Sequence, residues 1–155
     1  TITGKDARGE KGWVAQADIS VDNARNIWTG VAYCGLFDIL ILPGGVKSIE
    51  KLRQSRTVIE GIAAHRKANK IIASMCHGAQ LLIEARIVSG LDISGYYSIK
   101  TDIENAGAVY RDGVTVCGNI VSAPHYKYNG KWMKAVIDLY EKRQLTVTDL
   151  AGREG

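Results

Sequence analysis

Among the three cysteines and three histidines of this chain, one pair stands side by side, Cys76 and His77, inside Ile71-Ile72-Ala73-Ser74-Met75-Cys76-His77-Gly78-Ala79-Gln80-Leu81-Leu82. A short apolar run delivers the cysteine onto a glycine-containing turn, and an amphipathic helical pattern follows. That is the layout of a nucleophile elbow, in which a sharp strand-to-helix turn lifts the side chain clear of the sheet while the next backbone N–H groups point at the same spot. A helix beginning near His77 places its positive dipole end beside the sulfur and favours thiolate over thiol. Small residues at Ser74 and Gly78 relieve crowding around such a turn. The competing reading is a buried structural cysteine at a strand end; the flanking pattern favours chemistry. Side chains at i and i+1 of a helix do not face each other, so His77 serves as a base only if the turn departs from helical geometry, and is otherwise a half-exposed histidine at a helix start.

The remaining candidates carry weaker signals. Cys117 lies in an alternating strand pattern and Cys34 just before an apolar run, so both read as small packing residues. His65, in Ala64-His65-Arg66-Lys67, reads as solvent-facing, and His125, in a Pro-Tyr-rich loop, reads equally as cleft-lining or as simply exposed. An odd number of cysteines with no CxxC spacing suggests neither a disulfide framework nor a zinc site, and reduced thiols are expected. Gly44-Gly45 lacks the Lys-Ser/Thr continuation of a phosphate loop. None of these patterns calls for a metal or an organic cofactor.

The elements that must position the elbow follow from periodicity. Trp13 to Ser20 partly alternates and suits a strand near a sheet edge, and residues 21–34 read as irregular or briefly helical. Phe37-Asp38-Ile39-Leu40-Ile41-Leu42, closed by Pro43-Gly44-Gly45, reads as a parallel strand buried on both faces, with a loop after it. Val58, Ile59, Ile62 and Ala63 recur at helical spacing through Arg66, and Asn69 supplies a stop before a strand at Lys70 to Ser74. The elbow helix runs to about Arg86. A short helix is predicted near Ile99 to Asn105, ended by Gly107. Val114 to Ser122 reads as two strand pieces around a Gly-Asn turn, and Lys131 to Arg143 as an amphipathic helix, with Trp132 and Met133 covering the sheet. Residues 144–155 read as a strand or a tail. Alternating strands and helices make a three-layer α/β sandwich.

At 155 residues and 46% hydrophobic content the chain suits one core rather than two. A formal charge of +4, spread without an aromatic-interleaved stripe, argues against a nucleic-acid partner. No apolar run approaches the roughly 20 residues of a membrane span, and no signal-peptide pattern is present; no membrane partner and a soluble, cytoplasmic chain are expected.

Several separated motifs then carry a family resemblance. The Phe37 to Gly45 run, the Ala73 to Leu82 elbow, Ile99-Lys100-Thr101-Asp102-Ile103-Glu104-Asn105-Ala106-Gly107-Ala108 and Gly118-Asn119-Ile120-Val121-Ser122 occur in the order and spacing of the ThiJ/PfpI family. The likeness runs from about Gly12 to Arg143. It implies a flavodoxin-like three-layer α/β/α sandwich with a mainly parallel sheet, of the glutamine-amidotransferase-like superfamily, as a single domain over residues 1–155. Thr1 to Lys5 resembles the family's segment after its second strand. The resemblance therefore implies that a first β-α-β unit, with an acidic residue that hydrogen-bonds the cysteine, is missing from these residues, leaving the domain N-terminally incomplete.

By the same resemblance Cys76 is the nucleophile and His77 its neighbouring histidine, while the backbone at Gly44 and Gly45 contributes to an oxyanion hole. Tyr96 corresponds to a position near the active site, and His125 to the loop beside it. Glu50 aligns roughly with a glutamate that reaches across a subunit interface, so a homodimer or higher oligomer is implied; a solvated helix-start glutamate is the other reading. Ser122-Ala123-Pro124-His125-Tyr126 stands where many relatives carry Ser-Arg-x-Pro, with Pro124 in the arginine's place, and an altered substrate preference is expected because proline cannot clamp an anion. Three function classes stay open: a cysteine-dependent enzyme acting on a small carbonyl or a peptide or amide substrate (peptidase, deglycase or glyoxalase-type chemistry), a redox-sensing or chaperone-like protein in which Cys76 is oxidised, and a catalytically silent homologue.

Overall fold

The structure, a computed structural model, describes residues 37–151 together with four two-residue strands before them: β1 (Ile2–Thr3), β2 (Ala7–Arg8), β3 (Val14–Ala15) and β4 (Ile19–Ser20). β1 pairs parallel with β4, and β2 antiparallel with β3. The strand expected over Trp13 to Ser20 is thus two separate pieces in different pairings. Residues 21–34, including Cys34, lie outside the described residues.

The central sheet is built from the segments richest in Ile and Val. β5 (Ile39–Leu42), β6 (Ile71–Met75) and β10 (Ile120–Ala123) run parallel, and β9 (Thr115–Cys117) closes the edge antiparallel to β10, in the order β5-β6-β10-β9. Parallel neighbours require crossover connections. Between β5 and β6 the crossover is α1 (Val46–Leu52) and α2 (Arg56–Lys67). A 3₁₀ turn (Cys76–Gly78) leads from β6 into α3 (Ala79–Glu84), followed by β7 (Asp92–Ile93), a second 3₁₀ turn (Tyr97–Ile99), α4 (Lys100–Asn105) and β8 (Val109–Tyr110), which pairs parallel with β7. A third 3₁₀ turn (Tyr126–Tyr128) opens α5 (Asn129–Ala151).

Strand alternation divides the core into two layers. Leu42, Ile72 and Ile120 face α1 to α4, packing with Ile49, Ile62, Leu81, Leu82 and Ile103. Ile71, Ala73, Met75, Val121 and Ala123 face the other way, onto Trp132 and Val136 of α5, and the Trp132 indole N–H donates to the Val121 carbonyl at 3.2 Å. Every residue of β6 and β10 is buried, as parallel strands covered on both faces must be. The protein is therefore an α/β fold with a mixed, mainly parallel sheet flanked by helices.

Four expectations are corrected. β5 is not buried throughout: Leu42 alone is fully buried and Ile41 is 46% exposed, because among the described residues β5 is the outer strand of this sheet and Ile41 points to the face opposite Leu42. Helix α1, not a loop, follows Gly45. His65 is 1% exposed rather than solvent-facing: it lies on the inner stripe of α2 with Val58, Gly61 and Ile62. Helix α5 continues to Ala151, so most of the stretch read as a strand or tail is helix. The turn chemistry agrees with expectation. Asn69 ends α2 at φ 55°, Gly107 follows α4 at φ 82°, and Gly118 takes φ 61° in the β9–β10 hairpin, the left-handed region these residue types tolerate.

Candidate active site

Cys76 is the first residue past the carboxyl end of β6, and its φ of 58° is a conformation that costs a non-glycine residue roughly 1–3 kcal/mol. The surroundings hold it there from two sides. The Tyr96 N–H donates to the Cys76 carbonyl at 3.1 Å, tying the turn to the segment after β7. Opposite, the turn after β5 packs onto the cysteine so closely that a methyl at Gly44 would fall 2.5 Å from Cys76 Cβ and 3.1 Å from Sγ. Gly78 is equally confined, since a Cβ there would meet the Leu42 carbonyl oxygen at 2.5 Å. Gly44 and Gly78 are thus close-approach residues beside the elbow, and Gly45, at φ 111°, needs the freedom only glycine has.

The positive φ at Cys76 decides the role open to His77. Because the chain enters a 3₁₀ turn instead of a regular helix, the adjacent side chains converge, and His77 Nδ1 lies 3.4 Å from Cys76 Sγ. The objection that neighbours on a helix diverge does not hold at this turn. His77 stacks on Tyr96 with ring centroids 4.8 Å apart, and Tyr96 in turn lies 6.2 Å from the His125 ring. Cys76, His77, Tyr96 and His125 are all half-buried. The structure therefore assembles Cys76, His77, Gly44, Gly45, Tyr96 and His125 at one place, past the carboxyl ends of β5, β6, β7 and β10, where ligands bind in open parallel sheets.

Glu50 stands apart from this group. It is exposed on α1, where Arg53 approaches it at 3.6 Å while also pairing with Glu84 at 3.2 Å. Cys117, on the edge strand β9, is half-buried and has no elbow. Among the described residues no group of three His, Cys, Asp or Glu side chains is placed to hold a metal ion, and no helix is long and apolar enough to cross a membrane.

The outer rim of the site is built of further rings. Tyr97, 5.6 Å from Tyr96, and Tyr126, 3.9 Å from His125, extend the row of rings outward. The Lys127 ammonium lies 5.7 Å from the Tyr97 ring and 5.0 Å from the Tyr128 ring. The signal was present as Tyr96-Tyr97 and Tyr126-Lys127-Tyr128, but only the fold brings the two segments together. A buried hydroxyl set was missed: Ser74 and Ser122 are register partners on β6 and β10, and the Ser94 N–H donates to Ser122 Oγ at 2.8 Å.

A strained cysteine on the turn after a buried parallel strand, with a histidine nitrogen 3.4 Å from its sulfur and a glycine turn against it, defines an α/β protein with a strand-to-helix elbow. The comparisons specify which. The chain belongs to the DJ-1/PfpI family, whose model matches residues 2–139. It is 37% identical over 123 residues to YraA of Bacillus subtilis, provisionally named a cysteine protease, covering 79% of this chain and 64% of that protein. It is 31% identical over 132 residues to deglycase PfpI of Pyrococcus furiosus, covering 84% of this chain and 74% of that one. The chain spans 62% of the length of general stress protein 18 of Bacillus subtilis, less than two thirds, as with YraA. Among solved structures, Drosophila melanogaster DJ-1beta superposes with a TM-score of 0.73 over 96% of this chain and 77% of that one, at 20% identity, a likeness of fold.

Proposed function

We propose that this chain is the body of a cysteine-nucleophile enzyme that attacks a carbonyl carbon, in chemistry of the deglycase or glyoxalase type. The observation that carries the reading is Cys76 Sγ held 3.4 Å from His77 Nδ1 on a positive-φ turn. Relatives named deglycases support the choice of carbonyl substrate.

The steps follow from the residues. His77 Nδ1 takes the thiol proton, and the sulfur pair forms a C–S bond while the carbonyl π pair moves onto oxygen. Backbone N–H groups of the Gly44-Gly45 turn and of the turn after Cys76 receive that oxyanion, since they are fixed before the charge develops. Tyr96, stacked on His77, sets the imidazole plane. Where the electrophile is a 1,2-dicarbonyl, proton transfer between its two carbons converts the hemithioacetal into a thioester, which water cleaves to a hydroxy acid and free thiol. Where it carries a nitrogen leaving group, His77 returns the proton to the amine; peptide and amide hydrolysis shares this first half.

The test is incubation with methylglyoxal, glycated amino acids and a peptide panel. Turnover of at least one carbonyl class is expected, falling by about a thousandfold or more in Cys76→Ala. Turnover unchanged by that substitution would remove Cys76 from the chemistry.

A further inference from the structure

The row of rings that begins at His77 ends on a cation. From sulfur outward the contacts run Cys76 Sγ to His77 Nδ1 (3.4 Å), His77 to Tyr96 (4.8 Å), Tyr96 to Tyr97 (5.6 Å) and Tyr97 to Lys127 Nζ (5.7 Å). A second arm reaches the same lysine through His125, whose Nδ1 accepts the Lys127 backbone N–H at 3.1 Å. That bond fixes where the Lys127 side chain leaves the loop. Tyr97 and Tyr126 are 44% and 67% exposed, so this wall presents ring surface as well as charge.

The two loops that carry these rings hold charge of one sign, and Asp112 acts on the neighbouring Tyr110 from just past β8. Gly95 to Lys100 and Ala123 to Lys131 contain Lys100, Lys127 and Lys131 and no carboxylate. Lys100 is engaged by Glu104 at 3.8 Å. Lys127 is held by rings instead, and among the described residues no carboxylate lies within ion-pair distance of it. The neighbouring Tyr97 and then Tyr128 raise its pKa above the ordinary lysine value, keeping it charged throughout the neutral range. Cations over aromatic faces are stabilised without being neutralised, so this ammonium keeps its full charge for a ligand.

We propose that Lys127 is a specificity-determining residue of the Cys76 cleft: it selects electrophiles that carry a carboxylate or phosphate on a flat or aromatic arm, several bonds from the carbon that the sulfur attacks. The arm lies along the Tyr96, Tyr97 and His125 rings, and its anionic end meets the Lys127 ammonium. This supplies from the loop after β10 an anion contact that Ser122-Ala123-Pro124 cannot make. The proposal rests on Cys76 being the nucleophile, but not on any particular turnover.

The experiment uses alkylation, which needs no turnover. Iodoacetanilide and 4-(iodoacetamido)benzoate share one reaction: the Cys76 thiolate forms a C–S bond as the C–I bond breaks and iodide leaves. They differ only in a distal carboxylate; 4-(iodoacetamido)phenylphosphonate gives the phosphate arm. Rates at Cys76, read by peptide mass spectrometry at low salt, are expected to be about two- to fivefold higher for the anionic probes than for the neutral one, the range of one exposed ion pair. That ratio should fall to near 1 in Lys127→Met, survive in Lys127→Arg, invert in Lys127→Glu and shrink in 0.5 M salt. Lys134→Met, on α5 and paired with Asp138 at 2.7 Å, should leave it unchanged. The larger ratio of the two anionic probes names the preferred source. A ratio near 1 in the unsubstituted protein, or one insensitive to Lys127, would overturn the proposal while fast labelling of Cys76 upheld the elbow. Slow labelling of Cys76 and Cys117 at equal rates by every probe would overturn both.

Discussion

Cys76 and His77 are sequence neighbours, yet the contact between them is a backbone effect. With φ at 58° the turn swings the two side chains together, and a relaxed helical φ would separate them. Chemical reactivity should report this directly. Brief iodoacetamide treatment near neutral pH should label Cys76 well ahead of Cys117 on β9, because Cys76 has an imidazole nitrogen 3.4 Å from its sulfur to take the thiol proton; equal labelling in a peptide map would count against it. His77→Phe keeps a ring to stack on Tyr96 but removes Nδ1. Carbonyl turnover should fall by about a hundredfold while unfolding by urea stays nearly unchanged. Gly44→Ala should act in the opposite pattern from a simple surface change. Its methyl would sit 2.5 Å from Cys76 Cβ, so the turn must shift, destabilising the protein by about 1–3 kcal/mol and slowing Cys76 labelling even though the cysteine itself is untouched.

Helix α2 makes a second demand on a single histidine. His65 is buried on its inner stripe, with Nδ1 2.9 Å from the Gly61 carbonyl oxygen, and its pKa is lowered, chiefly by desolvation and further by Lys70. The unfolded chain takes up the proton at about pH 6.5, before the folded chain does. Stability contributed by the neutral ring is therefore complete above that pH and is lost as pH falls below it, toward the depressed folded value. Urea midpoints compared at pH 7.5 and 5.5 should show a drop for the unsubstituted protein that is smaller in His65→Gln; parallel pH profiles would contradict the buried neutral form. The end of the same helix is tied to the β9–β10 hairpin, since Asn119 accepts from Arg66 and donates to the Lys70 carbonyl. That buried amide fixes β10 against β6 and so aligns the loop carrying His125 with the elbow.

At the scale of the whole molecule, aromatic and aliphatic surface gathers near the cleft: Val46, Tyr97 and Tyr126 are all exposed. Trp132 is not part of that surface: it covers the sheet, as its place in the helical pattern predicts. We propose a two-fold homodimer that buries the exposed face of α1 and walls the site from beside Val46, the usual closed symmetry of self-association, with Glu50 and its Arg53 partner available to a second copy. Light scattering at micromolar concentration should give twice the mass of one chain, and Glu50→Lys should shift the balance toward monomer. A single-chain mass in the unsubstituted protein would end both ideas.

Much of this protein was legible in its sequence because the informative signals are local. The short apolar run ahead of Cys76 and the two strand pieces around Gly118-Asn119 mark β6, β9 and β10, because strand patterning is read over a few adjacent residues. Asn69, Gly107 and Gly118 announce turns, since few residues accept positive φ. The motif around Cys76 announces an elbow because strand, small residues and helix follow one another directly. What the tertiary structure decided depends on segments distant in the chain. Whether β5 is buried on one face or two depends on what packs beside it, and His65 is charged in its sequence neighbourhood but apolar in its spatial one. The Cys76–His77 contact required a dihedral that no residue pattern displays. The path of rings from His77 through Tyr96 and Tyr97 to Lys127 joins the loop after β7 to the loop after β10 across the parallel pairing of β6 and β10. The segment after β7 is held there by its own contacts, Ser94 N–H to Ser122 Oγ and Tyr96 N–H to the Cys76 carbonyl.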